Sequence, residues 1–120
     1  MFLLLLTLLL VKHFIFDFYW QPPFMWQNKG TFGHWGGIAH SGIHAFATYI
    51  ILCFFIVPAA ALLLAAFEFV VHYATDWAKM NINRVKGWTA TTHNEFWQLT
   101  GFDQLIHQLT YVAILYLVSV

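Results

Sequence analysis

Charge is what this sequence has least of. Asp, Glu, Lys and Arg make up only 8% of its 120 residues, against about a quarter in an ordinary soluble domain. The five basic and five acidic residues cancel to a formal net charge of zero. That leaves no basic surface for a nucleic acid and no field to steer an acidic partner. Cysteine occurs once, at Cys53, which excludes an intrachain disulfide and a thiolate metal cluster. Within its apolar run the thiol reads as a small buried hydrophobe. Internal repeats, low-complexity tails and a second domain are also missing, so residues 1–120 read as one domain. The N-terminal apolar run lacks a basic leader and an A-x-A site, and is therefore read as a span rather than a signal peptide.

What fills the chain is grease. It is 61% hydrophobic and 20% aromatic, a composition whose natural solvent, and first partner, is the lipid bilayer. Four segments are long enough to cross roughly 30 Å of hydrocarbon at about 1.5 Å per residue. They are expected at residues 1–20, 38–57, 59–80 and 96–120. Gln21-Pro22-Pro23 ends the first, Gly36-Gly37 precedes the second, and Pro58 sits in the turn between the second and third. The expected fold is an all-α, membrane-embedded four-helix antiparallel bundle, with long loops at residues 22–37 and 81–95. Lys29, Lys79, Arg84 and Lys86 lie in or beside those two loops, whereas the face shared by the termini and the Pro58 turn carries no Lys or Arg. By the positive-inside rule the loops face the cytoplasm and the termini the periplasm. Trp20, Trp26, Trp35, Trp77, Trp88 and Trp97 all fall near the cytoplasmic boundary, as half of an aromatic belt.

Against this background a few polar residues stand out by their spacing. His13 and Asp17 in "VKHFIFDFYWQ", His40 and His44 in "AHSGIHA", His72 and Asp76 in "VHYATDW", and Asp103 and His107 in "FDQLIHQ" each stand four apart. That interval puts both side chains on one helix face. In an antiparallel bundle the four pairs fall at one depth, in the cytoplasmic half. Ionisable groups inside a membrane cost at least a few kcal/mol each and mark function. Five imidazoles and three carboxylates are a nitrogen and oxygen donor set, and helix bundles build dinuclear centres from such inward-facing pairs. The eight residues are the expected ligands of two divalent ions: zinc, iron or manganese. A buried hydrogen-bond network and bis-histidine haem ligation are the competing readings.

Around the pairs, Gln21 and Gln104 are placed to orient ligands, and Glu68, one turn from His72, to hydrogen-bond it or to stay neutral against another helix. Lys12 and Lys79 read as side chains snorkelling to the headgroups, with Lys79 also beside the site. His34, on a Gly-rich loop with Gly30, Gly33, Gly36 and Gly37, is read as a gate to the site, and His93 as solvated.

The segments "KHFIFDFYWQ", "NKGTFGHWGGIAHSGIH", "HYATDWAK" and "GFDQLIHQLTY" together resemble the small bacterial and phage membrane proteins grouped as domain of unknown function 3307. The resemblance implies a four-span protein of the bacterial inner membrane and no settled activity. From the residues themselves, the leading expectation is a metal-dependent hydrolase of lipid or lipid-linked phosphoesters. Asp17 and Asp76, nearest the water, are the catalytic candidates, with Arg84, Lys86 or Lys79 available to neutralise phosphate. A metal-ion carrier or sensor, or an accessory subunit of a homo-oligomer or larger membrane complex, are the alternatives. The outer halves of the spans are almost wholly apolar, which weighs against a pore through one chain.

Overall fold

In the computed structural model, which covers Met1–Val120, the chain is helical throughout, with short connections. Helix α1 (Phe2–Phe14) runs without a break into a π-helical turn, Ile15–Tyr19. A single short turn, α2 (Pro23–Trp26), precedes α3 (Trp35–Leu52), α4 (Pro58–Lys86) and α5 (Asn94–Ser119).

Local chemistry accounts for where these helices depart from the expected limits. α3 begins before residue 38 because His34, in extended conformation, caps it: its Nδ1 accepts the Gly36 N–H at 2.9 Å. It stops at Leu52 rather than at 57. Pro58 drives the preceding residue out of the helical region, and Val57 is indeed extended, so the chain needs a turn before α4 can start. α4 does not stop at 80. It runs on through Asn81 and Asn83 to Lys86, where Gly87 takes φ 67° and donates to the Arg84 carbonyl while Trp88 donates to that of Asn83. Only glycine adopts that left-handed cap without penalty. The second long loop thus shrinks to residues 87–93. Within it His93 is half-buried and its Nδ1 takes the Thr92 hydroxyl at 2.7 Å, so it holds a local turn rather than being merely solvated.

The four long helices pack as a ring in which α1 touches α3 and α5, and α4 touches α3 and α5. α1 therefore faces α4 across the centre. What the ring buries is inverted relative to a water-soluble protein: fifteen of its 24 buried residues are polar or charged, while large apolar side chains such as Leu3, Phe46, Phe54, Leu63 and Val85 stand outside. The apolar part of the interior is a small cluster of Leu5, Leu9, Leu52, Ala61, Tyr111 and Ile114 at the end holding the α1 N-terminus. By length and composition, Phe2–Tyr19 and Pro58–Lys86 could each cross a membrane. Cys53 lies in the turn after α3 and is only half-buried.

Candidate metal centre

All eight residues expected as ligands meet in one buried layer, none more than 8% exposed. Asp17 reaches it from the π turn, which gathers an extra residue into one helical turn; such turns recur at functional sites. Of the turn's other residues Ile15, Phe18 and Tyr19 stay outside and Phe16 is half-buried with its ring edge-on to His44, leaving Asp17 as the one fully buried residue.

The centre of the layer is Asp17 Oδ1. Around it stand the Nε2 atoms of His40 at 3.0 Å, His44 at 3.1 Å and His72 at 3.6 Å. His40 and His72 Nε2 are themselves 3.1 Å apart. Yet Asp17 Oδ1 and His44 Nε2 have no hydrogen-bond partner, because close as they are, their directions are wrong for a bond to one another. Besides the hydrogen bond between His40 and His72, the four atoms gather within 4.8 Å of one another, close enough to share one ion. Around an ion with ligand bonds of about 2.0–2.1 Å, the edges of a tetrahedron are about 3.3–3.4 Å, the range these separations bracket. Four of the six edges lie near that length, and the group could hold a metal ion.

A second group adjoins it. Asp76 Oδ2 lies 3.4 Å from His72 Nε2, Asp76 Oδ1 lies 3.4 Å from His107 Nε2, and the His72 and His107 rings stack at 3.9 Å. Asp103 Oδ1, also without a hydrogen bond, is 3.3 Å from His107 Nε2. A neutral imidazole has one lone pair, so Nε2 of His72 can serve only one group at a time. The first group is complete with it; the second then keeps Asp76 and His107, with Asp103 beside His107 but outside the set of converging atoms.

His13 stands apart in its bonding. Gln104 Nε2 donates to Asp17 Oδ2 at 2.9 Å and to Asp103 Oδ2 at 3.2 Å, which fixes the amide's orientation. Its Oε1 therefore faces His13 Nε2, at 2.7 Å, and that nitrogen must carry the proton. The other, Nδ1, stands 3.0 Å from the Tyr111 hydroxyl, whose single proton it shares with Glu68 Oε1. With both nitrogens engaged, His13 orients the layer through Gln104 rather than belonging to either group of converging atoms.

Lysines complete the charge balance, and here the sequence reading needs correction. Neither Lys12 nor Lys79 snorkels to a headgroup. Lys12 is 5% exposed, pairs with Glu68 and donates to the His44 carbonyl at 3.1 Å. Glu68 also takes the Tyr111 hydroxyl at 3.0 Å, so its partners are these two rather than His72. Lys79 points inward to Asp103 Oδ2 at 2.9 Å. Lys29, which the sequence offers only as a loop charge, is buried with its Nζ 3.0 Å from Asp76 Oδ2. Its loop is fastened down: Asn81 donates to the Gly30 carbonyl, the Gly33 N–H donates to the Tyr73 hydroxyl, and a Cβ on Gly36 would stand 2.2 Å from the Phe24 carbonyl. Glycine there permits contact rather than movement. Gln21 bonds the Asp17 backbone carbonyl at 2.6 Å, not its carboxylate. His34 is spent on its cap, and Arg84 bonds Asn81 on the exposed flank, so neither reaches the layer.

Only the charge count could have found Lys29. Four carboxylates, those of Asp17, Glu68, Asp76 and Asp103, are buried in a low-dielectric interior and demand compensating cations.

No curated protein and no solved structure matches the chain. The sequence profile of the family described as protein of unknown function (DUF3307) matches residues 5–120, nearly the whole length, and the protein belongs to that family.

Proposed function

We propose that this protein is a four-span membrane metalloprotein that hydrolyses a lipid or lipid-linked phosphoester at an asymmetric pair of divalent ions. The observation that carries the reading is the convergence of Asp17 Oδ1 with three Nε2 atoms at 3.0–3.6 Å without hydrogen bonds from Asp17 Oδ1 or His44 Nε2. Asp17, His40, His44 and His72 would saturate a tetrahedral ion, as structural sites do. Asp76 and His107, with Asp103 drawn in from beside His107, would hold the other with a position left open, as catalytic sites do. An ion so held supplies a Lewis acid for the phosphoryl group and lowers the pKa of its water. The chain's own part is to supply Lys29 and Lys79 beside the open group, where they neutralise phosphate, and Gln104, which holds Asp17 and Asp103 in register.

The membrane setting rests on the inverted interior and on size. α4 has 29 residues and the molecule's long axis is 45 Å, against about 40–45 Å for a bilayer with its headgroups. With the polar layer at the cytoplasmic side, Gln27→Cys and Thr91→Cys, each in a Cys53→Ser background, should be shielded from an impermeant thiol reagent in intact cells, while a cysteine after Val120 labels. The reverse pattern would turn the molecule over. A carrier would need a polar route through the other half, and the Leu5, Leu9, Leu52, Ala61 and Ile114 plug closes it.

The direct test is hydrolysis of phospholipid and polyprenyl-phosphate substrates by metal-loaded protein. Lys29→Gln should raise KM about tenfold for these substrates, the loss of one charge-assisted contact, with metal content unchanged. Absence of metal-dependent turnover across the panel would reject the enzymatic reading.

A further inference from the structure

Two cavities touch the open side of the layer, and Lys79 lines both. The first, about 270 Å³, is a groove between α4 and α5. On α4 it is floored by Ala74 and Ala78, one turn apart, which withhold the side-chain bulk that would otherwise interlock the helices. Thr75 lies between them with its hydroxyl bonded to the Val71 carbonyl at 2.7 Å, so its polar end is satisfied within its own helix. Across the groove α5 contributes Leu99, Phe102 and Ile106. Its walls are apolar except where Lys79 and Asp103 meet.

The second cavity, about 340 Å³, has the opposite character. Lys29 and Lys79 bring two ammonium groups to it, each also paired with a carboxylate of the layer, Asp76 and Asp103, and two amide oxygens in its wall, Gln21 Oε1 and Asn83 Oδ1, are buried without a partner. Asn83 is 8% exposed. Unsatisfied buried polar groups are costly and call for a donor. A group bringing both negative charge and hydroxyl donors would answer cations and amides together.

We infer that these cavities form one binding site for an anionic lipid, with a hydrocarbon chain in the α4–α5 groove and a phosphate head bearing hydroxyls between Lys29, Lys79, Gln21 and Asn83. The inference deepens the hydrolase reading by naming its substrate class, but binding requires no turnover. Lys79 is the hinge of the arrangement, since it closes the groove and opens the head cavity at the same point.

The test uses the full chain in mild detergent, with native mass spectrometry to count retained lipid. Phosphatidylglycerol, phosphatidic acid and phosphatidylcholine with identical acyl chains are the probes, and glycerol phosphate is the competitor without a chain. Phosphatidylglycerol should be retained best and phosphatidylcholine least. Ala78→Phe, or Ala74→Leu should the first variant not fold, fills the groove and should lower retention about tenfold with metal content unchanged. Asn83→Leu should erase the preference for phosphatidylglycerol over phosphatidic acid. Undiminished retention in a folded groove-filling variant, equal retention of phosphatidylcholine, or competition by glycerol phosphate as strong as by lipid would each overturn the site. The two readings fail separately. Selective lipid retention without turnover of any phosphoester leaves the site standing and removes the hydrolase, whereas turnover of a soluble aryl phosphate with no lipid selectivity does the reverse.

Discussion

Asp17→Ala purified without chelator should lose its tightly held ion, while Asp76→Asn keeps that ion and loses the weaker one. The asymmetry follows from the donor geometry. Asp17 Oδ1 is the atom on which His40, His44 and His72 converge, so without it three imidazoles face one another with no anion to balance a dication. Asp76 belongs to the neighbouring group, which keeps only Asp76 and His107, with Asp103 beside them, once His72 is committed elsewhere. Elemental analysis of the purified proteins, before and after brief dialysis, separates the two ions by their ease of loss. His44→Ala should behave like Asp17→Ala, and combining the two should cost little more than either alone, because they destroy the same site. His13→Ala is the contrasting case. Since its nitrogens are held by Gln104 and Tyr111, it should weaken binding without removing an ion. Equal loss of metal from His13→Ala and His44→Ala would return His13 to the ligands and require the layer to rearrange on loading. Full occupancy in a folded Asp17→Ala protein would leave the cluster as a hydrogen-bonded staple.

The meeting of the eight residues was legible because it depends on two periodic facts, the four-residue spacing of each pair and the alternation of helix direction. Both survive errors of several residues at helix ends. The π turn was not legible: nothing in "IFDFY" distinguishes it from an α-helix except the need to aim Asp17 inward. Helix ends differ from the expected span limits where a local device rules, namely the His34 cap, the restriction that Pro58 imposes on Val57, and the Gly87 cap. The lysines were misread for a deeper reason. Snorkelling is what a lysine does when the interior offers it nothing, and the sequence does not say that Glu68 on α4 faces Lys12 across the ring. Cross-ring partners have no spacing rule. They follow from the packing order of the helices, which puts α1 opposite α4.

That cross-ring pair should carry one of the largest single contributions to stability. Lys12 and Glu68 are 5% and 1% exposed, and each has a second partner, the His44 carbonyl and the Tyr111 hydroxyl. Removing one member of a buried pair leaves the other charge stranded, a loss of about 3–5 kcal/mol, while replacing both by apolar groups of similar volume is often neutral. Lys12→Met and Glu68→Leu should therefore each be severely destabilised in reversible unfolding from mixed micelles. The double variant should recover most of the loss. Its metal content is the more informative readout. The pair sits next to the layer and touches it through the His44 backbone and through Tyr111, which contacts His13. If its role is to fix helix register, the double variant will be stable and load metal normally. If its charge sets the electrostatics of the layer, the double variant will be stable yet bind metal with altered affinity, since Lys12 Nζ stands 3.4 Å from His44 Nδ1. A double variant destabilised by the sum of the two single losses would mean that the two side chains act independently, with Tyr111 rather than Lys12 as the partner that holds Glu68 in place.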